Sequence, residues 1–196
     1  LSYVYTLTSD YDKLIALSDR ADMYFNKNDV LMHNIGYGFL QKNLYNKALE
    51  YYGKSLKLDP DDKGTLNSIG YTHYMLEEYN TAIEYYDKAL KIDPRYERGL
   101  LNKGLAYHTM DNFSEAINTY EKALQINKNN YYTYSYLGDT YYQMEEPEKA
   151  FKAYENVLRM NPDNDYVLNN YSYYLSLRRE HLEKALEALD TLSRDN

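Results

Sequence analysis

The residue types that most often carry out chemistry are few in this chain, and their spacing does not suit it. The chain has no cysteine and four histidines. A metal site on a helix needs ligands three or four residues apart on one face, and no two histidines have this spacing. The acidic pairs Glu77-Glu78 and Glu145-Glu146 fall between predicted helices, where solvated turn residues are the ordinary interpretation. We therefore predict no enzyme, no metal site and no cofactor.

Composition argues against two classes of partner. The net charge is −8 and the sequence pI is about 5.0. A protein that binds phosphate groups needs clustered Lys and Arg, and no such cluster occurs here, so we do not expect nucleic acid as a partner. No run approaches the ~20 apolar residues of a membrane-spanning helix, so we expect no membrane insertion. The 27 tyrosines, beside no tryptophan at all, are the unusual feature of the composition.

A period of 34 residues runs through the chain. Small residues mark it at Gly36, Gly70, Gly104, Gly138 and Ser172. Alanines follow twelve residues later and tyrosines sixteen residues later, at Ala48, Ala82, Ala116 and Ala150, and at Tyr52, Tyr86, Tyr120 and Tyr154. A fixed period of this length is typical of a solenoid of stacked helical hairpins. Because helices that cross closely need small side chains, the glycine and alanine columns predict where the two helices of each hairpin meet.

These columns resemble those of the tetratricopeptide repeat family. The stretch 82–94 matches the second helix of its repeat, and Pro60, Pro94 and Pro162 stand where the chain turns into the next unit. The resemblance implies an all-α fold, a right-handed superhelical solenoid of stacked antiparallel helix pairs. It also implies a docking surface instead of a catalyst.

The repeats divide the chain into one continuous predicted array. Counting back 34 residues from Gly36 reaches Ser2, so the chain begins inside a helix and we expect a longer parent protein. A final helix is predicted over 182–192, with no further helix to cover it. The predicted array comprises a partial repeat at 1–28, full repeats at 29–62, 63–96, 97–130 and 131–164, and a C-terminal repeat at 165–196.

The resemblance implies that the first helix of each pair lines a concave groove. Positions near the glycine column give this groove a lining rich in tyrosine and asparagine, with few charges. The predicted partner-binding residues are Asn34, Tyr37, Asn67, Tyr71, Tyr74, Asn102, His108, Tyr136, Tyr142, Asn170 and Tyr173.

This lining suits an extended or helical segment of a partner protein. Asparagine both donates and accepts hydrogen bonds and can pair with a peptide backbone, while tyrosine offers a broad apolar ring with a polar tip. Two interpretations stay open: a specific reader of a peptide backbone, and a general protein-binding groove. Chaperone-binding members of the family hold a peptide carboxylate with cationic side chains, and the matching positions, including His33, Tyr37 and Arg98, lack the cationic pair. We do not expect that ligand.

Two other functions remain as alternatives. Exposed ends of the array predict self-association into a homo-oligomer. The chain is otherwise an accessory region of a larger, possibly exported, protein. The stretch 169–179 resembles the closing repeats of exported bacterial members, which favours the bacterial cell envelope or periplasm over the cytoplasm. Tyrosine rings also stack on sugars, so a carbohydrate ligand is a fainter alternative.

Overall fold

The fold is built from helices joined by short turns. The computed structural model describes residues 2–24, 26–173, 175, 176, 179 and 183. They fall into two compact units, Leu1–Ile126 and Asn127–Asn196, which are treated one at a time below. The predicted final helix at 182–192 lies outside the described residues, apart from position 183.

The helices of both units follow the 34-residue period. In the described part of the first unit they are α1 (Ser2–Leu7), α2 (Tyr11–Ile15), α3 (Ser18–Tyr24), α4 (Asp29–Gln41), α5 (Tyr45–Leu58), α6 (Lys63–Met75), α7 (Tyr79–Ile92), α8 (Glu97–Thr109) and α9 (Phe113–Ile126). In the second unit they are α10 (Tyr131–Gln143) and α11 (Pro147–Met160), and residues 165–173 are helical as well.

Neighbouring helices pack in pairs. In the first unit α4 packs on α5, α6 on α7 and α8 on α9, and the second helix of one pair packs on the first helix of the next. In the second unit α10 packs on α11. Because the turns inside each pair are short, the two helices run antiparallel. The predicted all-α fold of stacked antiparallel helix pairs is confirmed.

Side-chain caps start several of the first helices, again 34 residues apart. Asn28 Oδ1 accepts a hydrogen bond from the Leu31 backbone N–H at 2.8 Å. Asp62, Asn130 and Asn164 cap the corresponding helices in the same way. Such caps satisfy backbone donors that a helix leaves unpaired at its N-terminus. They fix where each first helix begins.

The turn inside each pair places a residue other than glycine in the left-handed region. Glu77 has φ 62° and Glu145 has φ 57°, and Asn43, Asp111 and Ser9 share the conformation in the same column. Left-handed backbone is uncommon for residues with a Cβ atom. The turn therefore carries a small conformational cost in every repeat.

The glycine column packs against the tyrosine column of the same helix pair. A Cβ atom on Gly70 would lie 2.6 Å from Cε1 of Tyr86 and 3.1 Å from the carbonyl oxygen of Ala82. Tyr86 is fully buried, as are Tyr52 and Tyr120 in the same column. The helices thus meet where the sequence predicts, and the tyrosine ring fills the space that the glycine leaves.

The segment before α4 departs from a regular repeat. Helices α2 and α3 occupy the stretch of a second helix, and the chain turns between Ile15 and Ser18. Leu14 is buried in the alanine column and contacts Gly38, while Ala21 is also buried. Leu14 is larger than alanine and Ser18 replaces the column's tyrosine, so this stretch lacks the contacts that straighten the other second helices.

Candidate functional site

The first helices of the first unit form one continuous surface. Helix α4 contacts α6, and α6 contacts α8. We call this surface the first-helix face. Seven of the predicted binding residues belong to α4, α6 and α8, namely Asn34, Tyr37, Asn67, Tyr71, Tyr74, Asn102 and His108.

The asparagines of this face connect neighbouring helix pairs. Asn102 Nδ2 donates to Asn67 Oδ1 at 3.0 Å, and Asn34 Nδ2 donates to Ser2 Oγ at 3.3 Å. Asn67 is only 4% exposed. Buried amides need such partners, because an unpaired one costs desolvation energy. The asparagines therefore join the repeats and present little accessible amide surface at Asn67.

The tyrosines form aromatic contacts along the same face. Tyr37 on α4 meets Tyr11 edge to face, with ring centroids 5.9 Å apart. On α6, Tyr71 stacks on Tyr74 at 6.1 Å. The Tyr74 hydroxyl shares a hydrogen bond with Thr109 Oγ1 of α8 at 3.0 Å. All three of the face tyrosines, 37, 71 and 74, are half-buried, so each ring is packed on one side and accessible on the other.

The charge of Arg98 acts on this face. Burial raises the pKa of Tyr37, neighbouring Tyr11 adds to the rise, and the positive charge of Arg98 opposes it. Tyr71 also acts on Tyr37. Arg98 is exposed near the start of α8. The sequence prediction did not include Arg98 among the binding residues, although its helical position pointed to the face.

His33 belongs to a buried polar network between α4 and α6. Its Nδ1 lies 2.7 Å from Thr65 Oγ1, and the Thr65 hydroxyl donates to the carboxylate of Asp62. Because that hydroxyl has one proton, His33 Nδ1 is the donor to Thr65. Burial lowers the pKa of His33, while the charges of Asp62 and Asp29 oppose the change. His33 is thus a neutral link between repeats.

His108 lies in the last turn of α8. Its ring is half-buried and tilts against Phe113, with centroids 5.7 Å apart. This contact ties the end of α8 to the start of α9. The position is within the predicted lining, and the ring is part of the helix-pair packing.

The second unit holds the other four predicted residues. Tyr136 on α10 is half-buried, and Tyr142 on the same helix is 42% exposed. The helical residues 165–173 include Asn170, which is half-buried, and Tyr173, which is 55% exposed.

A carboxylate lies among these residues. The Tyr154 hydroxyl donates to Asp139 Oδ1 at 2.6 Å. Burial raises the pKa of Tyr166 to about 12, helped by the charge of Asp139 and by Tyr136, whereas Asn170 opposes the rise. Tyr136, Asp139, Tyr166 and Asn170 therefore lie together. The sequence prediction named Tyr136 and Asn170 only. Asp139 stands one residue after Gly138, in the same column as Tyr37 and Tyr71, and that column was the signal for it.

Two other kinds of site are absent from the part of the chain that the structure describes. No group of three or more His, Asp or Glu side chains gathers there to hold a metal ion. No helix in those same ranges has the length and apolar character needed to cross a membrane.

Several solved structures share this fold. MamA has a TM-score of 0.71 at 22% identity, covering 83% of this chain and 95% of that one. TTC0263, a TPR protein of Thermus thermophilus, has a TM-score of 0.74 at 20% identity, covering 89% and 95%. YrrB, described as a TPR protein with an unusual peptide-binding site, has a TM-score of 0.69 at 16% identity, covering 87% and 88%. Likeness at these identities establishes the fold alone.

Sequence families give the same result. No curated protein sequence matches the chain. The tetratricopeptide repeat model matches residues 65–96, 98–130 and 131–164. A second model with the same description matches residues 31–62. These matches cover more than half of the sequence, and the chain belongs to the tetratricopeptide repeat family.

Proposed function

We propose that the chain binds a segment of a partner protein along the first-helix face. Tetratricopeptide repeats are in general protein–protein interaction scaffolds without catalytic activity of their own. The observation that carries the proposal is the row of half-buried tyrosines, Tyr37, Tyr71 and Tyr74, on neighbouring first helices. Each ring offers one face to a ligand while its other side packs on the protein.

Half-buried tyrosines suit recognition for an energetic reason. A ring that already packs against its neighbours loses little side-chain entropy when a ligand covers it. The ring supplies apolar area, and the hydroxyl supplies a hydrogen bond at the edge of the contact. The contacts of Tyr37 with Tyr11 and of Tyr71 with Tyr74 hold these rings in place before any ligand arrives.

The spacing of the helices points to an extended ligand. Packed helices lie about 8–10 Å apart, and an extended peptide rises about 3.3 Å per residue. Successive first helices therefore match about every third residue of an extended segment. We expect bound peptides to repeat apolar side chains at that interval, with the rings of Tyr37 and Tyr71 beneath two of them.

The hydrogen bonds of the asparagines favour the general groove over a dedicated reader of peptide backbone. Asn67 and Asn102 bond to each other, which uses part of the amide capacity that such a reader needs. Asn102 is half-buried and keeps its own carbonyl oxygen as an acceptor. Its contribution is one hydrogen bond at the edge of the tyrosine row. Among relatives in fold, the description of YrrB as having a peptide-binding site supports a peptide as the class of ligand.

A peptide-display selection on the whole chain tests this proposal. Peptides are selected on the wild type and their dissociation constants are then measured with two double variants. The first variant, Tyr37→Ala with Tyr71→Ala, removes rings of the first-helix face. The second, Tyr45→Ala with Tyr85→Ala, removes two rings of α5 and α7 that are likewise half-buried and packed on the same core.

The two variants separate the face from general effects on folding. The proposal predicts that the Tyr37/Tyr71 variant weakens selected peptides at least tenfold and that the Tyr45/Tyr85 variant changes affinity less than twofold. Equal losses in both, or a loss in the second alone, would place the binding surface elsewhere.

A further inference from the structure

The second unit contains a carboxylate bordered by tyrosines. Asp139 is half-buried on α10, and the buried Tyr154 hydroxyl donates to its Oδ1 at 2.6 Å. Tyr154 is only 3% exposed and its ring lies against Gly138. The donor is therefore held rigidly, and it orients the carboxylate.

The exposed side of this carboxylate is aromatic. On α10, Tyr136 and Tyr142 lie three residues before and after Asp139, so helical spacing places all three near one face. Tyr166 comes from the helical residues 165–173 and is 56% exposed. The charge of Asp139 acts on Tyr166, which also senses Tyr136. A negative charge with aromatic rings around it is thus accessible from solvent.

We propose that Asp139, Tyr136 and Tyr166 form a subsite for a cationic side chain, Lys or Arg, of the bound partner. A carboxylate has about four lone-pair positions, so the bond from Tyr154 leaves acceptor capacity for an ammonium or guanidinium group. Tyrosine faces attract the same cations through their ring quadrupoles. The inference rests on the proposed function, because it gives one side chain of the partner segment its place.

The charge of the chain agrees with a basic ligand. The net charge is −8, so the field of the protein attracts cationic segments and accelerates their encounter. Charge complementarity of this kind sets specificity and association rate more than affinity. The subsite therefore selects among apolar segments for those with a Lys or Arg at the right distance.

Small probes test the subsite without a partner peptide. The whole chain, ¹⁵N-labelled, is titrated with the methylamides of N-acetyl-lysine, N-acetyl-arginine and N-acetyl-norleucine, and amide shifts are followed by NMR. Norleucine has the length of lysine without the charge. Asp139→Asn keeps an acceptor for Tyr154 and removes the charge. Tyr166→Ala removes one ring, and Tyr132→Ala removes an equally exposed ring of α10.

The proposal predicts saturable shifts around Asp139 and Tyr166 with lysine or arginine and none with norleucine. Asp139→Asn and Tyr166→Ala are expected to weaken binding at least fivefold, and Tyr132→Ala less than twofold. Equal shifts with norleucine, no saturable shift with either cation, or wild-type binding by folded Asp139→Asn would overturn it. Because this assay needs no peptide and no residue of the first unit, it separates failure of the subsite from failure of the first-helix face.

Discussion

The Tyr154 hydroxyl donates to Asp139 Oδ1 at 2.6 Å, whereas the fully buried Tyr86 hydroxyl, in the same repeat column, has no hydrogen-bond partner in the described ranges. The two tyrosines are related by the 34-residue period and both pack on a glycine, Gly138 and Gly70. The same ring position thus keeps its shape and differs in polarity between the two units.

This difference predicts opposite responses to loss of the hydroxyl. Tyr154→Phe removes a hydrogen bond to a carboxylate and is expected to lower the free energy of unfolding by about 1.5–3 kcal/mol. Tyr86→Phe removes a buried hydroxyl that lacks a partner, so it is expected to be neutral or to stabilise by about 1 kcal/mol. Denaturant unfolding followed by circular dichroism measures both. A similar cost for the two variants would contradict the assigned hydrogen bonding.

The glycine column predicts a second matched pair. Gly70→Ala places a Cβ atom 2.6 Å from the ring of buried Tyr86, and we expect a loss of about 1–3 kcal/mol from overpacking. A Cβ atom on Gly53, in the interior of α5, meets nothing within 4 Å. Gly53→Ala is therefore expected to stabilise by about 0.5–1 kcal/mol, because alanine favours helix. Thermal or denaturant unfolding checks the signs, and stabilisation by both changes would be inconsistent with the contact.

The left-handed turn residues predict a stabilising change. Glu77 has φ 62°, and glycine adopts this conformation without a Cβ penalty. Glu77→Gly is expected to raise the free energy of unfolding by about 0.5–1 kcal/mol. Asn43 has φ 59° in the same column, but asparagine tolerates the region, so Asn43→Gly is expected to gain only a few tenths of a kcal/mol. A larger gain at Asn43 than at Glu77 would contradict this ordering.

His33 predicts a dependence of stability on pH. Burial lowers its pKa in the folded chain, so the unfolded chain binds the proton more readily. Stability from this group is full above the unfolded value of about 6.5 and falls as the pH drops from there through the folded pKa. His33→Asn removes the titration, and we expect a shallower decline of the unfolding free energy as the pH falls below about 6.5. Equal slopes, or a His33 ring that titrates by NMR above its ordinary pKa, would contradict the buried neutral state.

The sequence predicted the helix pairs because the fold repeats the same contact. Glycine and alanine recur wherever two helices cross, so the spacing of Gly70 and Ala82 alone locates the pair. The left-handed turns were not predicted, because Glu77 and Glu145 are not residues that favour that conformation. Hydrogen bonds at the turn, such as Glu78 N–H to the His73 carbonyl at 2.9 Å, hold it in spite of local preference.

The candidate face was predicted by register, and its internal bonding was not. Helical offsets place Tyr37, Tyr71 and Asn102 on first helices, but they do not reveal that Asn102 bonds to Asn67 across repeats. That bond depends on how two helix pairs stack, which is a property of tertiary packing. Tyr166 was missed for the same reason, because its interaction with Asp139 joins different helices of the second unit.

The central claim is that a partner segment lies on the first-helix face, and site-specific photo-crosslinking tests it most directly. A benzophenone amino acid replaces Tyr71 in one version of the whole chain and Tyr85 in another, and each is irradiated with a peptide selected on the wild type. We predict a crosslinked product from position 71 and none from position 85. Crosslinking from position 85 with none from position 71 would contradict the claim.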